Sequence, residues 1–281
     1  PVTGLAQRGP QITADRYSYL ACIPLAIAAG GVFAYCFARS RWASFSLADA
    51  LLAILTVRMQ SQLSLWSDSI TLWNHALSVD ATSGGAHCNL AHALETAGRS
   101  EEAVANYYRG IALGWRHPTV YRNLAALLQR LDRHEEAVAA YHADIASYPG
   151  RWETHYFLGV SYERLGDVAS AAEQYRKALD LRLDVPDAHA ALGRLFMEYG
   201  HDAEAAARLR YALDLAPRHA EALERLAIIC ARQGRYEEAI ELVDRCIDEV
   251  SRRGALEVIE GLTTRRGEYL LARDEASRSA E

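Results

Sequence analysis

The stretch YFLGVSYERLGDVASAAEQYRKALDL, residues 156–181, contains the pattern that decides the fold. Apolar residues recur there three or four positions apart on both sides of a glycine, first Leu158, Tyr162 and Leu165, then Ala171, Tyr175 and Ala178. This spacing predicts two amphipathic helices. Gly166 lies between them, where a residue with positive φ commonly ends a helix. The stretch therefore predicts a helix–turn–helix hairpin.

The hairpin pattern recurs every 34 residues, so the chain contains internal repeats. A leucine followed by a small residue stands in each unit, at Leu90, Leu124, Leu158, Leu192 and Leu226. The turn residue is glycine except at Asp132. A single hairpin cannot bury its own apolar face, so neighbouring units must stack. The sequence predicts an all-α, right-handed solenoid with five units at 84–117, 118–151, 152–185, 186–219 and 220–253.

The unit is similar to the tetratricopeptide repeat (TPR). Residues 152–185 carry this resemblance best, through Leu158, Gly159, Tyr162, Gly166, Ala171, Tyr175 and Ala178. Two units depart from the family pattern, one with Asp144 at a position that is usually small, the other with Cys230 and Cys246 at packing positions. The resemblance implies a scaffold whose concave wall, lined by the first helix of each repeat, binds peptides or proteins.

The N-terminal region has a different character. No charged residue occurs from Tyr17 to Ala38. A helix over these 22 residues spans the roughly 30 Å hydrocarbon core of a bilayer. A buried helix usually has a polar stripe, and a signal peptide has a shorter apolar run. We therefore predict an extramembrane loop at 1–16 and a transmembrane helix at 17–38.

A second apolar run follows at 42–57 and contains Asp49, and it predicts a second membrane or interfacial helix over 42–65. An acid at mid-bilayer is costly, so this segment either returns through the membrane or lies at its interface before it leads into the solenoid. When the 34-residue register is extended toward the N-terminus, residues 66–83 are predicted to form half a repeat. Residues 254–281 predict a C-terminal capping helix and a frayed tail.

The N-terminal part resembles a second, more specific group, the transmembrane-and-tetratricopeptide (TMTC) O-mannosyltransferases and their bacterial relatives. The residues that carry this resemblance are Ala14, Asp15, Arg16, Tyr17, Tyr19, Leu20, Trp66, Ser69, Leu72, Trp73, His75, Ala76 and Leu77. It implies that the chain, which starts at Pro1, is a C-terminal fragment of a polytopic protein. The alternative function is then acceptor recognition for a lipid-linked-sugar glycosyltransferase whose catalytic region precedes Pro1. No catalytic residue is assigned, so whether the parent is an enzyme is left open.

Composition bounds the remaining functions. The net charge of −6 argues against nucleic acid as a partner. The five cysteines form no CxxC pair, and no metal or cofactor is predicted. His87, His155 and His189 recur at one repeat position, which favours inter-repeat packing over metal binding.

The predicted function is a membrane-anchored TPR scaffold. Its candidate peptide-binding residues lie on the first helices, at Asn89, His92, Arg122, Asn123, Tyr156, Arg164, Arg194 and Arg232. Arg16 is a weaker candidate for a lipid phosphate, because guanidinium groups suit phosphate oxygens. Arg39 and Arg41, between the two apolar segments, favour a cytoplasmic loop. This predicts an integral membrane protein of a bacterial inner membrane with periplasmic repeats. If Asp49 prevents the second segment from crossing, the repeats are cytoplasmic instead. Its partners are a protein or peptide and membrane lipid.

Overall fold

The computed structural model describes residues 30–32, 34–35, 38, 53–54, 56–57, 68–254 and 256–280. Every regular element in this part of the chain is an α-helix, which confirms the all-α prediction. The membrane segments predicted at 17–38 and 42–65 lie for the most part outside the described residues, and Arg16 lies wholly outside them. Within the described residues, no helix has both the length and the apolar character that crossing a bilayer requires.

The chain divides into two units, at 1–117 and 118–281. The described helices of the first unit are α1 (Ser69–Val79), α2 (Gly84–Thr96) and α3 (Ser100–Ala112). Asp68 caps α1, since its carboxylate accepts a hydrogen bond from the backbone N–H of Thr71 at 3.0 Å. Helices α2 and α3 form a hairpin, and α1 packs against α2.

The second unit contains four hairpins and a final helix. Its first helices are α4 (Val120–Arg130), α6 (Trp152–Arg164), α8 (Pro186–Glu198) and α10 (Ala220–Arg232). Its second helices are α5 (His134–Ser147), α7 (Val168–Leu181), α9 (Asp202–Leu215) and α11 (Tyr236–Arg253), and the chain ends in α12 (Leu256–Ala280). Each second helix packs against its own first helix and against the first helix of the next hairpin. This is the stacked arrangement that the 34-residue period predicts.

Close contact at the small residue holds each hairpin together. A Cβ atom on Gly159 would lie 2.7 Å from Cε1 of Tyr175, and one on Gly193 would lie 2.7 Å from Cγ of Leu209. Both distances are well inside van der Waals contact, so the second-helix side chain occupies the space that a larger residue would need. The small residue therefore allows the close approach of the two helices at both positions.

The turn between the two helices requires a left-handed residue. Gly166 has φ +78°, as predicted for a helix-ending glycine. Asp132 adopts the same conformation with φ 59°, which aspartate tolerates better than most residues. Its carboxylate lies 3.0 Å from Nε2 of His134 and 3.7 Å from Nη2 of Arg164. These two contacts give the aspartate a role that glycine cannot fill.

The recurring histidines bond both within their own hairpins and to the preceding repeat. Nδ1 of His87 lies 2.9 Å from Oδ1 of Asn106, and Nδ1 of His155 lies 2.9 Å from Oε1 of Gln174. Each partner is on the second helix of the same repeat. Nε2 of His87 also lies 3.3 Å from the carbonyl oxygen of Ala81, and Nε2 of His189 lies 2.9 Å from that of Leu183, both in the preceding repeat. The predicted inter-repeat contact is therefore present for His87 and His189, whereas the hydrogen bond of His155 lies within its own hairpin.

Asp144 is fully buried at a position where the other repeats have a small residue. Its carboxylate accepts hydrogen bonds from Oγ1 of Thr154 at 2.6 Å and from Nη1 of Arg151 at 3.1 Å. Arg151 also donates to the carbonyl of Pro118 and lies over the ring of Tyr148. The unusual acid thus joins α5 to the start of α6 through a buried, charge-assisted hydrogen-bond network.

The final helix continues further than the sequence predicted. Helix α12 extends to Ala280, so the segment expected to be a frayed tail is helical up to that residue. Leu262 is buried against α11, while Ile259 and Tyr269 pack at the margin of the same core. The exposed surface of α12 is mixed: Val258 and Leu271 are 49% and 67% exposed. An open depression on the helix is lined by Glu257, Glu260, Gly261, Thr264, Arg265 and Glu268.

The Asp144 network gives a stability prediction. We expect Arg151→Ala to lower the free energy of unfolding by about 3 kcal/mol, because it leaves a buried carboxylate without its counter-charge. The double variant Asp144→Ala, Arg151→Ala is the matched control and should recover most of this loss, since alanine is the usual residue at position 144. Urea unfolding followed by circular dichroism measures both. Equal losses in the single and double variants would contradict the proposed cause.

His189 gives a pH prediction. Burial lowers the pKa of its imidazole, although Nε2 donates to the carbonyl of Leu183 at 2.9 Å. As the pH falls below about 6.5, the unfolded chain binds a proton at this residue more readily than the folded chain. The free energy of unfolding should therefore fall below that pH and not above it. We expect His189→Gln to reduce this acid sensitivity, and His92→Gln, at an exposed residue, to leave it unchanged. Urea titrations between pH 7.5 and 5 provide the measurement.

Candidate functional site

The first helices of the second unit form one continuous surface. Contacts between successive first helices show this: Nε2 of Gln129 on α4 donates to Oγ of Ser161 on α6 at 2.9 Å. Nε2 of His219, which caps α10, lies 3.1 Å from the carboxylate of Asp187 on α8. We call the side of α4, α6, α8 and α10 that is directed away from the second helices the first-helix face.

Buried tyrosines hold two polar residues of this face in place. The hydroxyl of Tyr141 donates to Oε1 of Gln129 at 2.7 Å, and the hydroxyl of Tyr175 donates to Oε2 of Glu163 at 2.9 Å. Both rings are completely buried. Burial, with the nearby Glu163 carboxylate, raises the pKa of Tyr175 well above its usual range. The core therefore determines where the Gln129 amide and the Glu163 carboxylate lie.

The side-chain amide of Gln129 makes three hydrogen bonds to other groups of the chain. Besides accepting from Tyr141, its amide donates to the carbonyl of Phe157 and to Ser161, both at 2.9 Å. These bonds join α4 to α6. Gln129 therefore positions Phe157.

Arg194 is the centre of an ion-pair network that links three repeats. Its guanidinium binds both oxygens of Glu163, one at 2.6 Å, and Nε donates to Glu221 at 2.9 Å. Glu198 lies 3.8 Å away on the same helix. Burial opposes the charge on Arg194, but the hydrogen bonds to Glu163 outweigh it and raise the pKa above its usual range. Only 16% of the arginine side chain is exposed.

The carboxylates around Arg194 are more accessible than the arginine. The side chains of Asp187, Glu198 and Glu221 are 64%, 49% and 42% exposed. Arg225, 32% exposed, approaches Glu221 at 3.9 Å. This part of the face thus has four carboxylates, counting Glu163, and two guanidinium groups.

Two other arginines predicted to bind peptide also have intramolecular partners. Arg164 lies 3.7 Å from Asp132, and Arg232 lies 3.2 Å from Asp202. Each acid belongs to the preceding repeat, so these pairs join neighbouring hairpins. Together with Arg194, they show that three of the residues predicted to bind a peptide form ion pairs between neighbouring repeats.

Arg122 and Asn123 differ from the other predicted residues. Both are half-buried on α4. Neither side chain makes a hydrogen bond or ion pair with any residue that the structure describes. The Arg122 charge acts on Tyr141 only at a distance. A half-buried guanidinium beside a half-buried amide is available to a ligand.

Tyr156 and Phe157 occupy the equivalent positions one repeat later, on α6. Their rings meet edge to face with centroids 5.2 Å apart, and the Tyr156 ring also packs on Tyr175. Phe157 is 40% exposed. Burial, followed by the charges of Asp187 and Glu221, raises the pKa of Tyr156 to about 12. Its hydroxyl has no hydrogen-bond partner among the described residues.

The two remaining predicted residues lie in the first unit. Asn89 is half-buried on α2 and His92 is exposed there, with Nδ1 3.9 Å from Glu95. In the same unit Tyr107 donates to Glu95, which repeats the tyrosine–carboxylate contact of the second unit.

Gln129, Phe157 and Glu163 belong to the site but were not among the residues predicted from the sequence. A signal for two of them was present. Glu95, Gln129 and Glu163 are spaced by 34 residues, and so are the tyrosines at 107, 141 and 175. Phe157 gives no such signal, because an exposed aromatic residue has no recurring equivalent in the other repeats.

The described residues do not support metal binding or a reactive thiol. They contain no cluster of three His, Cys, Asp or Glu side chains that could hold a metal ion. Cys230 and Cys246 are free and buried, and burial raises the pKa of both thiols to about 11. A thiol with such a pKa is a poor nucleophile at neutral pH.

Solved structures share this fold. YrrB, described as a TPR protein with an unusual peptide-binding site, is 20% identical over 63% of this chain and 91% of its own, with a TM-score of 0.53. PilF of Pseudomonas aeruginosa is 20% identical over 76% of this chain and 93% of its own, with a TM-score of 0.57. For yeast Tom70 the identity is 18%, over 73% of this chain and 43% of that protein, with a TM-score of 0.57. These identities establish the fold alone.

The family of this chain follows from its matches to sequence-family models. No curated protein matches the chain. Two family models, both described as tetratricopeptide repeat, match it, one at 122–186 and 190–252 and the other at 84–113. Nothing in these comparisons supports the resemblance to the O-mannosyltransferases. The matches cover more than half of the 281 residues, and they coincide with the stacked hairpins, so the chain belongs to the tetratricopeptide-repeat family.

Proposed function

We propose that this protein is an interaction scaffold that binds an extended peptide segment of a partner protein on its first-helix face. The peptide contacts Arg122, Asn123, Tyr156 and Phe157. One observation carries the proposal: these four side chains lie at equivalent positions of adjoining repeats, and their polar groups have no hydrogen-bond or ion-pair partner among the described residues.

The chemistry of the four side chains suits a peptide. The Arg122 guanidinium offers a planar pair of donors to a carboxylate oxygen or a backbone carbonyl. The Asn123 amide both donates and accepts, as a peptide backbone requires. Phe157 and the Tyr156 ring provide an apolar surface with a polar edge for a side chain between these contacts. A solved structure with this fold, YrrB, is described as having a peptide-binding site, which supports the same use of the fold here.

The test uses peptides selected from a random phage-displayed library on the full chain and then labelled for fluorescence anisotropy. We expect Arg122→Ala with Asn123→Ala to weaken their binding by about tenfold or more, because hydrogen bonds to a charged group contribute about 1.5–3 kcal/mol. Because neither side chain has a hydrogen-bond or ion-pair partner among the described residues, the thermal unfolding temperature should change little.

The matched control is Arg176→Ala, at an exposed residue of a second helix. It removes the same charge away from the first-helix face and should leave binding unchanged. Selected peptides that bind the double variant as tightly as the original chain would place the binding surface elsewhere and overturn the proposal.

We also propose that the scaffold is attached to a membrane, with its repeats on the periplasmic side. The support comes from the sequence: 17–38 contains no charge, and Arg39 and Arg41 follow it directly. In this proposal Arg16 lies at the lipid headgroups, where its guanidinium can bind a phosphate. Attachment would keep the peptide-binding face near the bilayer.

Membrane attachment has its own prediction. The full chain should remain in the membrane pellet after alkaline carbonate washing. Ile27→Arg should shift a large share of it to the supernatant, because a charge at the centre of a spanning helix costs a few kcal/mol. Val79→Arg, at an exposed residue of α1, is the control and should not change the distribution. Recovery of the original chain in the carbonate supernatant would exclude an integral attachment.

A further inference from the structure

The peptide site on α4 and α6 is rich in hydrogen-bond donors. The guanidinium of Arg122 carries only N–H groups, the amide of Asn123 adds its NH₂ group, and the hydroxyl of Tyr156 adds an O–H. None of these groups has a hydrogen-bond partner among the described residues, and their polar atoms reach solvent. Burial raises the pKa of Tyr156 to about 12, so its hydroxyl keeps its proton at neutral pH and can donate.

The acceptors beside these donors already have a partner or a counter-charge. Oε1 of Gln129 accepts from a buried tyrosine hydroxyl, and the carboxylate of Glu163 binds the guanidinium of Arg194 with both oxygens. Glu153, in the first turn of α6, interacts with the positive charge of Arg182. The site therefore requires carbonyl oxygens from a ligand more than it requires N–H groups.

Apolar surface adjoins the donors. The rings of Tyr156 and Phe157 meet edge to face with centroids 5.2 Å apart, and Phe157 is 40% exposed. One turn further along the two helices, Ala126 on α4 and Val160 on α6 are half-buried at equivalent repeat positions. The face of an aromatic ring carries partial negative charge, so it attracts the C–H groups next to the nitrogen of a proline ring.

The spacing of the two helices suits one turn of a polyproline II helix. Packed helices have axes about 8–10 Å apart, and Gln129 joins α4 directly to α6 through Phe157 and Ser161. A polyproline II helix rises about 3.1 Å per residue, so one turn of three residues covers about 9 Å. Its carbonyl oxygens have no internal partner, and its prolines have no N–H that would need an acceptor. A β-extended peptide without proline would bring N–H groups to a site whose acceptors are in use.

We propose that the partner segment bound by this site is proline-rich and lies across α4 and α6 as a polyproline II helix. The inference rests on the proposed peptide-binding function and adds to it the chemical class of the peptide. A proline ring packs on Phe157 and Tyr156. Carbonyl oxygens about one turn apart accept hydrogen bonds from Tyr156 and from Arg122 or Asn123. Because such a segment is already extended before it binds, it loses less conformational entropy than a flexible peptide.

The first measurement is the composition of the library-selected peptides. We expect them to be enriched in proline, with prolines three positions apart, because residues at that spacing lie on the same side of a polyproline II helix. Replacing these prolines by alanine should weaken binding to the full chain by about threefold to tenfold, through lost ring packing and greater flexibility of the free peptide. Fluorescence anisotropy of the labelled peptides measures both forms.

Variants of the protein test the donor and the aromatic face separately. Tyr156→Phe removes one donor and keeps the ring, and it should weaken binding by about threefold to tenfold, the range for one neutral hydrogen bond. Phe157→Leu keeps an apolar side chain without the aromatic face and should weaken binding by about threefold or more. The matched control is Tyr211→Phe, which removes the hydroxyl of a partly exposed tyrosine on the second helix α9 and should leave binding unchanged.

The outcomes separate this inference from the proposed function. Selected peptides that depend on Arg122 and Asn123 but lack proline overturn the inference and leave the proposed function standing. Binding that survives the replacement of the prolines, or the Tyr156→Phe change, does the same. A library that yields no peptide dependent on Arg122 and Asn123 overturns both.

Discussion

Close approach of two helices at a small residue is the constraint on which the rest of this structure depends. The Tyr175 ring lies where the Cβ atom of any larger residue at position 159 would be. Every repeat has a small residue at this position, glycine at 159 and 193 and alanine at 91, 125 and 227, so each hairpin can pack closely and offer the same two faces to its neighbours. The constant unit length then brings equivalent residues of successive first helices side by side. The first-helix face is a direct result of this regularity.

The same tyrosines connect the core with the polar surface. In three repeats the ring fills the hairpin while its hydroxyl fixes a glutamate or glutamine on the first helix. In the last two repeats leucine and valine replace the tyrosine, at Leu209 and Val243. At the positions equivalent to Glu163, these two repeats have Met197 and Ala231. Both the tyrosine and its polar partner are therefore replaced by apolar residues there. Polar coupling through the core is therefore confined to the N-terminal repeats, and Glu163 is its last member.

The sequence predicted the repeats well because helix periodicity and unit length are local properties. Hairpin boundaries, the small residue and the left-handed turn at Gly166 all follow from residues close together in the chain. The candidate site could be predicted only in part. An arginine such as Arg194 is chemically suited to binding a ligand. In the fold, however, it pairs with Glu163, which stands 31 positions earlier in the sequence. Arg122 gives the same signal in the sequence and has no such partner in the part of the chain that the structure describes. Only the three-dimensional structure distinguishes an arginine that is paired between repeats from one that is available to a ligand.

The open depression on α12 has a consequence for what can pack against it. Every earlier first helix is covered by a second helix, whereas α12 has acids and a threonine around its open depression. A further helix packed against this depression would have to remove water from several carboxylates, and Val258 and Leu271 are the exposed large apolar residues of α12 that could compensate. The depression therefore favours hydrated or charged contacts over the apolar contacts that join the repeats.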